Sequence, residues 1–212
     1  MMSNNIEIPD GFIVFISGVP GVGKTTISYE LLKKCNRFRI IEETDLVREI
    51  LRGYNDYLKI KFGNDITFLL NRINITDHNK LLSLKEAKLQ SEIMKNSFEH
   101  IIKRQQRKGI PTIINGVHII PEVLLDIAEN ITFINLFVTN ENILQERIEK
   151  RNPSSYMLSH IPFIFQTNND LYVSTKNLMS EAYNVFNVNV TDLSISETIE
   201  EIISCIGMIQ KS

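Results

Sequence analysis

Short, wholly apolar runs alternate along this chain with longer segments that carry a single apolar face. Phe12–Ser17 is an unbroken apolar run closed by glycine, the pattern of a strand covered on both faces. Lys24–Lys34 then reads as a helix, Phe38–Ile41 as a short strand, and Thr44–Leu51 as a helix stopped near Gly53. From Tyr54 to about Ser83 the pattern is irregular, with Tyr, Lys and Asn interleaved. Leu84–Lys108 is a long polar-faced helix ended by Gly109. Pro111–Asn115 reads as a third strand, Pro121–Glu129 as a short helix and Ile131–Val138 as a fourth strand. Glu141–Arg151 is a charged helix broken by Asn152-Pro153. Phe163–Asn184 is mostly helical, Val185–Val190 is a fifth strand and Ser194–Ile206 a closing helix.

Strands that alternate with helices imply βαβ units. The expected fold is α/β: a three-layer P-loop NTPase arrangement with a five-stranded parallel sheet and helices on both faces. No Pro/Gly/Ser linker divides the sequence, so residues 1–212 read as a single domain. An acceptor-side insertion is expected at about 54–84 and a lid at about 141–160.

Composition narrows the function classes. In 212 residues, 23 Lys+Arg stand against 25 Asp+Glu, a formal net charge of −2, which argues against a strongly basic nucleic-acid binder. A hydrophobic share of 43% suffices for a core without staples. The two cysteines, Cys35 and Cys205, have no metal-ligand spacing and read as free thiols in a reducing compartment. The polar start has no signal-peptide pattern, and no run of about 18 apolar residues occurs, so no membrane association is expected and the location reads as cytoplasmic.

The chemistry begins after the first strand. Gly18-Val19-Pro20-Gly21-Val22-Gly23-Lys24-Thr25-Thr26 is GxxxxGK[ST] between a strand and a helix, where that motif works. Its glycines let successive N–H groups turn inward onto phosphates, and the following helix adds its N-terminal dipole. Lys24 is placed to neutralise the β- and γ-phosphates, and the Thr25 hydroxyl to ligate Mg²⁺. ATP or GTP with Mg²⁺ is therefore expected. Motor ATPases carry Asp-Glu at a strand end and switch GTPases carry Asp-x-x-Gly and Asn-Lys-x-Asp. Neither set is present, which leaves a small-molecule kinase.

The second strand leads into Glu42-Glu43-Thr44-Asp45, with Arg48 and Arg52 beyond. In a parallel sheet, a carboxylate at that strand end can take an acceptor proton or hold Mg²⁺ through water. Asp45 is the candidate, with Glu43 behind it. Asp45 also reads as a first-turn helix residue paired with Arg48, and both readings stand at this point. Arg48 suits an acceptor bearing phosphate or carboxylate. Arg147 and Arg151 share a helix face with no acidic residue three or four positions away, which points to an external anion. Two solvated arginines are the alternative. Lys59, Lys61 and Lys80 are weaker candidates, Tyr54 and Tyr57 fit a pocket wall or ordinary packing, and His78, His100 and His160 show no ligand spacing.

Three segments resemble 2-phosphoglycerate kinase: Gly18–Thr26, Thr44–Arg52 and Ile113–Pro121. Glu146–Arg151 is similar to that family's arginine-bearing lid. The resemblance implies ATP as donor and γ-phosphoryl transfer to a small acceptor hydroxyl, with 2-phosphoglycerate as the family's acceptor. It suggests Asp45, Arg48, Asn115, Gly116 and His118 on the acceptor side, and Lys24, Asp45, Arg147 and Arg151 in catalysis. Two departures stand out. Asn115 occupies a position where the family has Glu, and the family's Ser-Ser-Tyr-type element is absent from residues 54–95. Another acceptor (antibiotic, nucleotide or sugar), a toxin-like kinase acting on a protein or cell-wall precursor, and a nucleotide-binding module with little chemistry are the alternatives. Monomer and homodimer are both compatible with the pattern.

Overall fold

In the computed structural model, the structure describes residues 7–62, 83–151, 155–182 and 184–209. Five strands run parallel: β1 (Ile13–Ser17), β2 (Ile40–Glu43), β3 (Thr112–Asn115), β4 (Ile131–Phe137) and β5 (Val185–Asn189). Their order is β2-β3-β1-β4-β5. The helices are α1 (Lys24–Lys34), α2 (Thr44–Phe62), α3 (Leu84–Arg107), α4 (Pro121–Leu124), α5 (Glu141–Arg151), α6 (Ser155–Ser159), α7 (Ile161–Leu178) and α8 (Ile195–Ile209).

The period of two along each strand divides the core. Val14, Ile16, Ile113, Ile134, Leu136 and Val188 face one way, against Ile27 and Leu31 of α1 and Ile202 and Ile206 of α8. Ile13, Phe15, Ile114 and Phe133 face the other way, against Met94, Phe98 and Ile102 of α3. There Phe15 stacks on Phe133 with centroids 5.0 Å apart and takes the edge of Phe98 at 6.3 Å. The expected three layers are present. The central strand β1 has β3 on one side and β4 on the other, so the P-loop leaves the sheet where the chain's crossovers part, the natural place for a ligand crevice.

Several expected boundaries are corrected. β2 lies two residues later than the apolar run Phe38–Ile41: Phe38 is buried in the core outside the strand, while Glu42 and Glu43 complete the ladder with β3. The helix after β2 does not stop at Gly53. A helix stop requires glycine in the left-handed region, and Gly53 is not there; in an exposed helix interior it costs only about 1 kcal/mol. Residues 54–62 are therefore helix, and the rest of the expected insertion, 63–82 with His78 and Lys80, lies outside the described residues. The same holds for 152–154 within the expected lid. α4 is one turn rather than nine residues, and α7 begins two residues early and ends at Leu178.

β2 passes into α2 with no connecting residue: Glu43 is the last strand residue and Thr44 the first helical one. Among the described residues no helix is long and apolar enough to cross a membrane.

Candidate active site

The P-loop leaves β1 at Ser17, whose hydroxyl donates to Asn135 Oδ1 at 3.3 Å on β4. Asn135 Nδ2 donates on to Asn187 Oδ1 of β5 at 2.7 Å, so a polar ladder across three strands fixes the loop's root. Gly18, Gly21 and Gly23 all have positive φ, which bends the loop over the N-terminus of α1. Val19 and Val22 are buried and pin the loop to the core. Gly21 lies against Leu144 and Ile148 of α5, and a side-chain carbon at Gly21 would come within 2.8 Å of both. Helix α5, where the lid is expected, thus rests directly on the phosphate loop.

Lys24 folds back to donate from Nζ to the Val19 carbonyl at 2.9 Å. Burial lowers its pKa to about 8, the nearby Asp45 carboxylate opposes that shift, and the Arg151 guanidinium adds to it. Three of the expected catalytic residues, from α1, α2 and α5, therefore share one electrostatic environment at the C-terminal edge of the sheet. Thr25 is half-buried beside Lys24, and Thr26 is exposed.

The lowered Lys24 pKa sets a pH dependence. Phosphate oxygens will favour the ammonium form, so nucleotide binding takes up a proton above pH 8. Affinity for ATP will be full below about pH 8 and will fall as pH rises through that value. Calorimetry at pH 8.5 in two buffers of different ionisation enthalpy will read the proton taken up; equal heats in both would remove Lys24 as its source.

Asp45 is 64% exposed at its side chain, at the start of α2. Its Oδ1 lies 3.5 Å from Arg48 Nη1 and 3.9 Å from His118 Nδ1. Arg48 is only 7% exposed, and its Nη2 donates to Glu49 Oε1 at 3.2 Å. Arg52 also pairs with Glu49, at 2.9 Å. The helical pairing of Asp45 with Arg48 is thus present, and it leaves one carboxylate edge beside a nearly buried guanidinium.

Two expected site residues have surroundings that the sequence did not mark. His118 is fully buried, bonds Thr44 Oγ1 through Nδ1 at 2.8 Å and lies behind Asp45, 3.9 Å from its Oδ1. Arg147 has a partner that local spacing did not reveal. Its Nη2 donates to the Val190 carbonyl at 2.6 Å and the Thr191 carbonyl at 3.3 Å, beyond β5. Burial lowers its pKa, with Asp192 opposing. Of the two α5 arginines, Arg151 is the exposed one, and its charge acts on Lys24.

Asn115 ends β3, 3% exposed, in register with Glu43 of β2 and Ile16 of β1. Its Nδ2 is buried with no hydrogen-bond partner among the described residues. Gly116 follows with φ +156° directly under Thr44. Beside the P-loop a narrow cleft is lined by Gly18, Val19 and Pro20, Val117 and Ile120, Ala87 of α3 and Leu171 of α7.

Residues without a sequence signal complete the frame. Asn168 of α7 donates from Nδ2 to the Val138 carbonyl at 2.8 Å and accepts from the Val138 N–H at 3.1 Å, as a strand neighbour would. Thr191 Oγ1 accepts from the Thr139 N–H at 2.8 Å and ties the exit of β4 to that of β5. Among the described residues no cluster of His, Cys, Asp and Glu forms a metal cage. Cys35 and Cys205 are free, with burial raising both pKa values, that of Cys205 to about 11.

A family model described as an AAA domain matches residues 14–159. The chain belongs to the AAA domain family. The AAA-domain match begins in β1 and ends with α6, so it includes the P-loop, Asp45, Asn115 and Arg151. The chain is also similar to the 2-phosphoglycerate kinase of Methanococcus vannielii, with 26% identity over 202 residues. That alignment covers 89% of this chain and 62% of the relative, so the chain spans about three-fifths of the relative's length. Among solved structures, a gluconokinase from Sinorhizobium meliloti 1021 superposes with TM-score 0.53 at 16% identity, covering 95% of this chain and 94% of the other. A shikimate kinase from Acinetobacter baumannii in complex with shikimate gives TM-score 0.50 at 15% identity, covering 92% of each. This AAA-domain chain therefore has the fold of the P-loop kinases.

Proposed function

We propose that the chain is a phosphotransferase that moves the γ-phosphoryl group of ATP to a hydroxyl of a small anionic acceptor, with 2-phosphoglycerate the first candidate. The observation that carries this reading is that the P-loop with Lys24 and the start of α2 with Asp45 lie at the same edge of one parallel sheet, where the charges of Asp45 and Arg151 act on Lys24. A P-loop alone binds phosphate. A carboxylate beside the phosphate lysine gives an acceptor hydroxyl something to lose its proton to. Arg48, nearly buried and next to that carboxylate, favours an acceptor bearing phosphate or carboxylate. The similarity to 2-phosphoglycerate kinases supports the same acceptor.

The donor set fits Mg²⁺. Thr25 would ligate it, and Glu43, paired with Asn115 across β2 and β3, would supply through water the carboxylate that Asn115 lacks. Bound with nucleotide, the ion would neutralise the phosphate oxygens. In the transfer itself, Lys24 and Arg151 hold the γ-phosphoryl oxygens while Asp45 orients the acceptor hydroxyl and takes its proton. Arg147 ties the root of the lid to the chain just beyond β5. The free thiols support a reducing, cytoplasmic setting.

Phosphorus NMR of the protein with Mg·ATP and 2-phosphoglycerate, against a control without acceptor, tests this reading. A new phosphoester signal matched by ADP supports it. ADP that forms equally without acceptor excludes 2-phosphoglycerate and directs the search to other hydroxyl compounds. Bound ATP with no ADP favours a nucleotide-binding module, the reading that the uncharged Asn115 supports.

A further inference from the structure

The exit of β3 and the start of α2 interlock at a point no motif marks. Thr44 and His118 are both fully buried, and Thr44 Oγ1 lies 2.8 Å from His118 Nδ1 across 74 residues of sequence. Between them runs Gly116, so close that a methyl group built there would overlap the Thr44 hydroxyl outright. The Gly116 N–H donates to the Ile16 carbonyl at 3.1 Å, two residues before the P-loop begins. An unbroken path of backbone and hydrogen bonds therefore runs from the P-loop root through Gly116 and His118 to Thr44, and Asp45 is the next residue.

We infer that Thr44, Gly116 and His118 form a brace that sets where the Asp45 carboxylate stands relative to Lys24. Thr44 and His118 are thus positioning residues for phosphoryl transfer. The inference rests on the reading of Asp45 as the acceptor-side base. β2 enters α2 without a loop, so nothing else absorbs slack at this corner. Asp45 itself is mostly exposed, and its contacts with Arg48 at 3.5 Å and His118 at 3.9 Å are too long to fix it tightly. The hydroxyl–imidazole bond one residue upstream is short and buried, where a hydrogen bond is strongest and its loss most felt. A proton-accepting group displaced by about 1 Å can lose on the order of a hundredfold in rate.

Thr44→Val removes the hydroxyl and keeps the shape; Thr44→Ser keeps the hydroxyl. The expected result for Thr44→Val is a fall of about tenfold or more in acceptor-dependent kcat, with the affinity for ATP within about twofold of wild type, since no P-loop contact is touched. ADP release per phosphoester formed will rise, because the donor site still binds while the acceptor is poorly aligned. Thr44→Ser will restore the coupling. Wild-type kcat and coupling in Thr44→Val would overturn the brace, as would equal impairment in both variants, which would make Thr44 a matter of packing. Crystal structures of wild type and Thr44→Val give a readout independent of turnover: the brace requires the Asp45 carboxylate to move relative to Lys24 Nζ, and an unmoved carboxylate refutes it. An inactive wild type would instead count against the kinase reading, while the structural comparison would still decide the brace.

Discussion

Asp45→Asn will lower acceptor-dependent phosphoryl transfer by about 10²–10⁴-fold, the range over which a positioned general base acts. Well below pH 8 the affinity for ATP will change little. The reasoning is geometric. The side chain is largely exposed, so the fold does not depend on it, and asparagine is close to isosteric and keeps an oxygen for Arg48. What it loses is the capacity to take a proton. The variant also removes the one charge that raises the Lys24 pKa, so the pH at which ATP affinity begins to fall will move below about 8. Turnover by coupled ADP assay and ATP affinity by calorimetry, each across pH, read the two effects separately. Transfer at the wild-type rate would remove Asp45 from the chemistry. An unmoved pH threshold would show that its charge does not reach Lys24.

Gly116→Ala will destabilise the protein by about 3 kcal/mol or more, the sum of backbone strain at positive φ and of overpacking against an immovable neighbour. The neighbour cannot yield, because Thr44 is fully buried and begins a helix directly behind a strand. For a chain of this size that loss lowers the midpoint of thermal unfolding by roughly 6–12 °C. Gly53→Ala is the control: open space surrounds Gly53 and its backbone is helical, so stability should rise by about 1 kcal/mol. Thermal unfolding followed by circular dichroism checks both. A Gly116→Ala midpoint within a degree of wild type would mean that the β3 exit can shift, and the packing argument there would fail.

Local features of the chain were readable in advance. The P-loop is one strand, nine residues and one helix turn, all contiguous, so its glycines, Lys24 and Thr25 could be placed without knowing the fold. β1, β3 and β4 followed from apolar runs with sheet on both sides. β2 was displaced because it is an edge strand, and its last two residues are glutamates that hydrophobicity does not mark. The partners of Arg147 were not legible because they lie 43 and 44 residues away, and helical spacing reports only neighbours within one turn. His118 carried an expected role on the acceptor side, yet its depth and its bond to Thr44 follow from how two strand ends meet. The general lesson is physical: periodicity encodes which face a residue shows, whereas contacts between the exits of different strands depend on register, which no local pattern carries.

The direct passage of β2 into α2 also constrains how this corner can change. A residue inserted between Glu43 and Thr44 would turn everything that follows by about 100° around the helix axis. Asp45 and Arg48, one turn apart, would rotate together away from Lys24. Neither a single insertion nor a single deletion can be absorbed there, whereas about four added residues, close to one whole turn, would bring both side chains back into phase. Natural or engineered length variation at this junction should therefore come in whole turns or not at all, which makes the junction a phase lock between the sheet and the acceptor side.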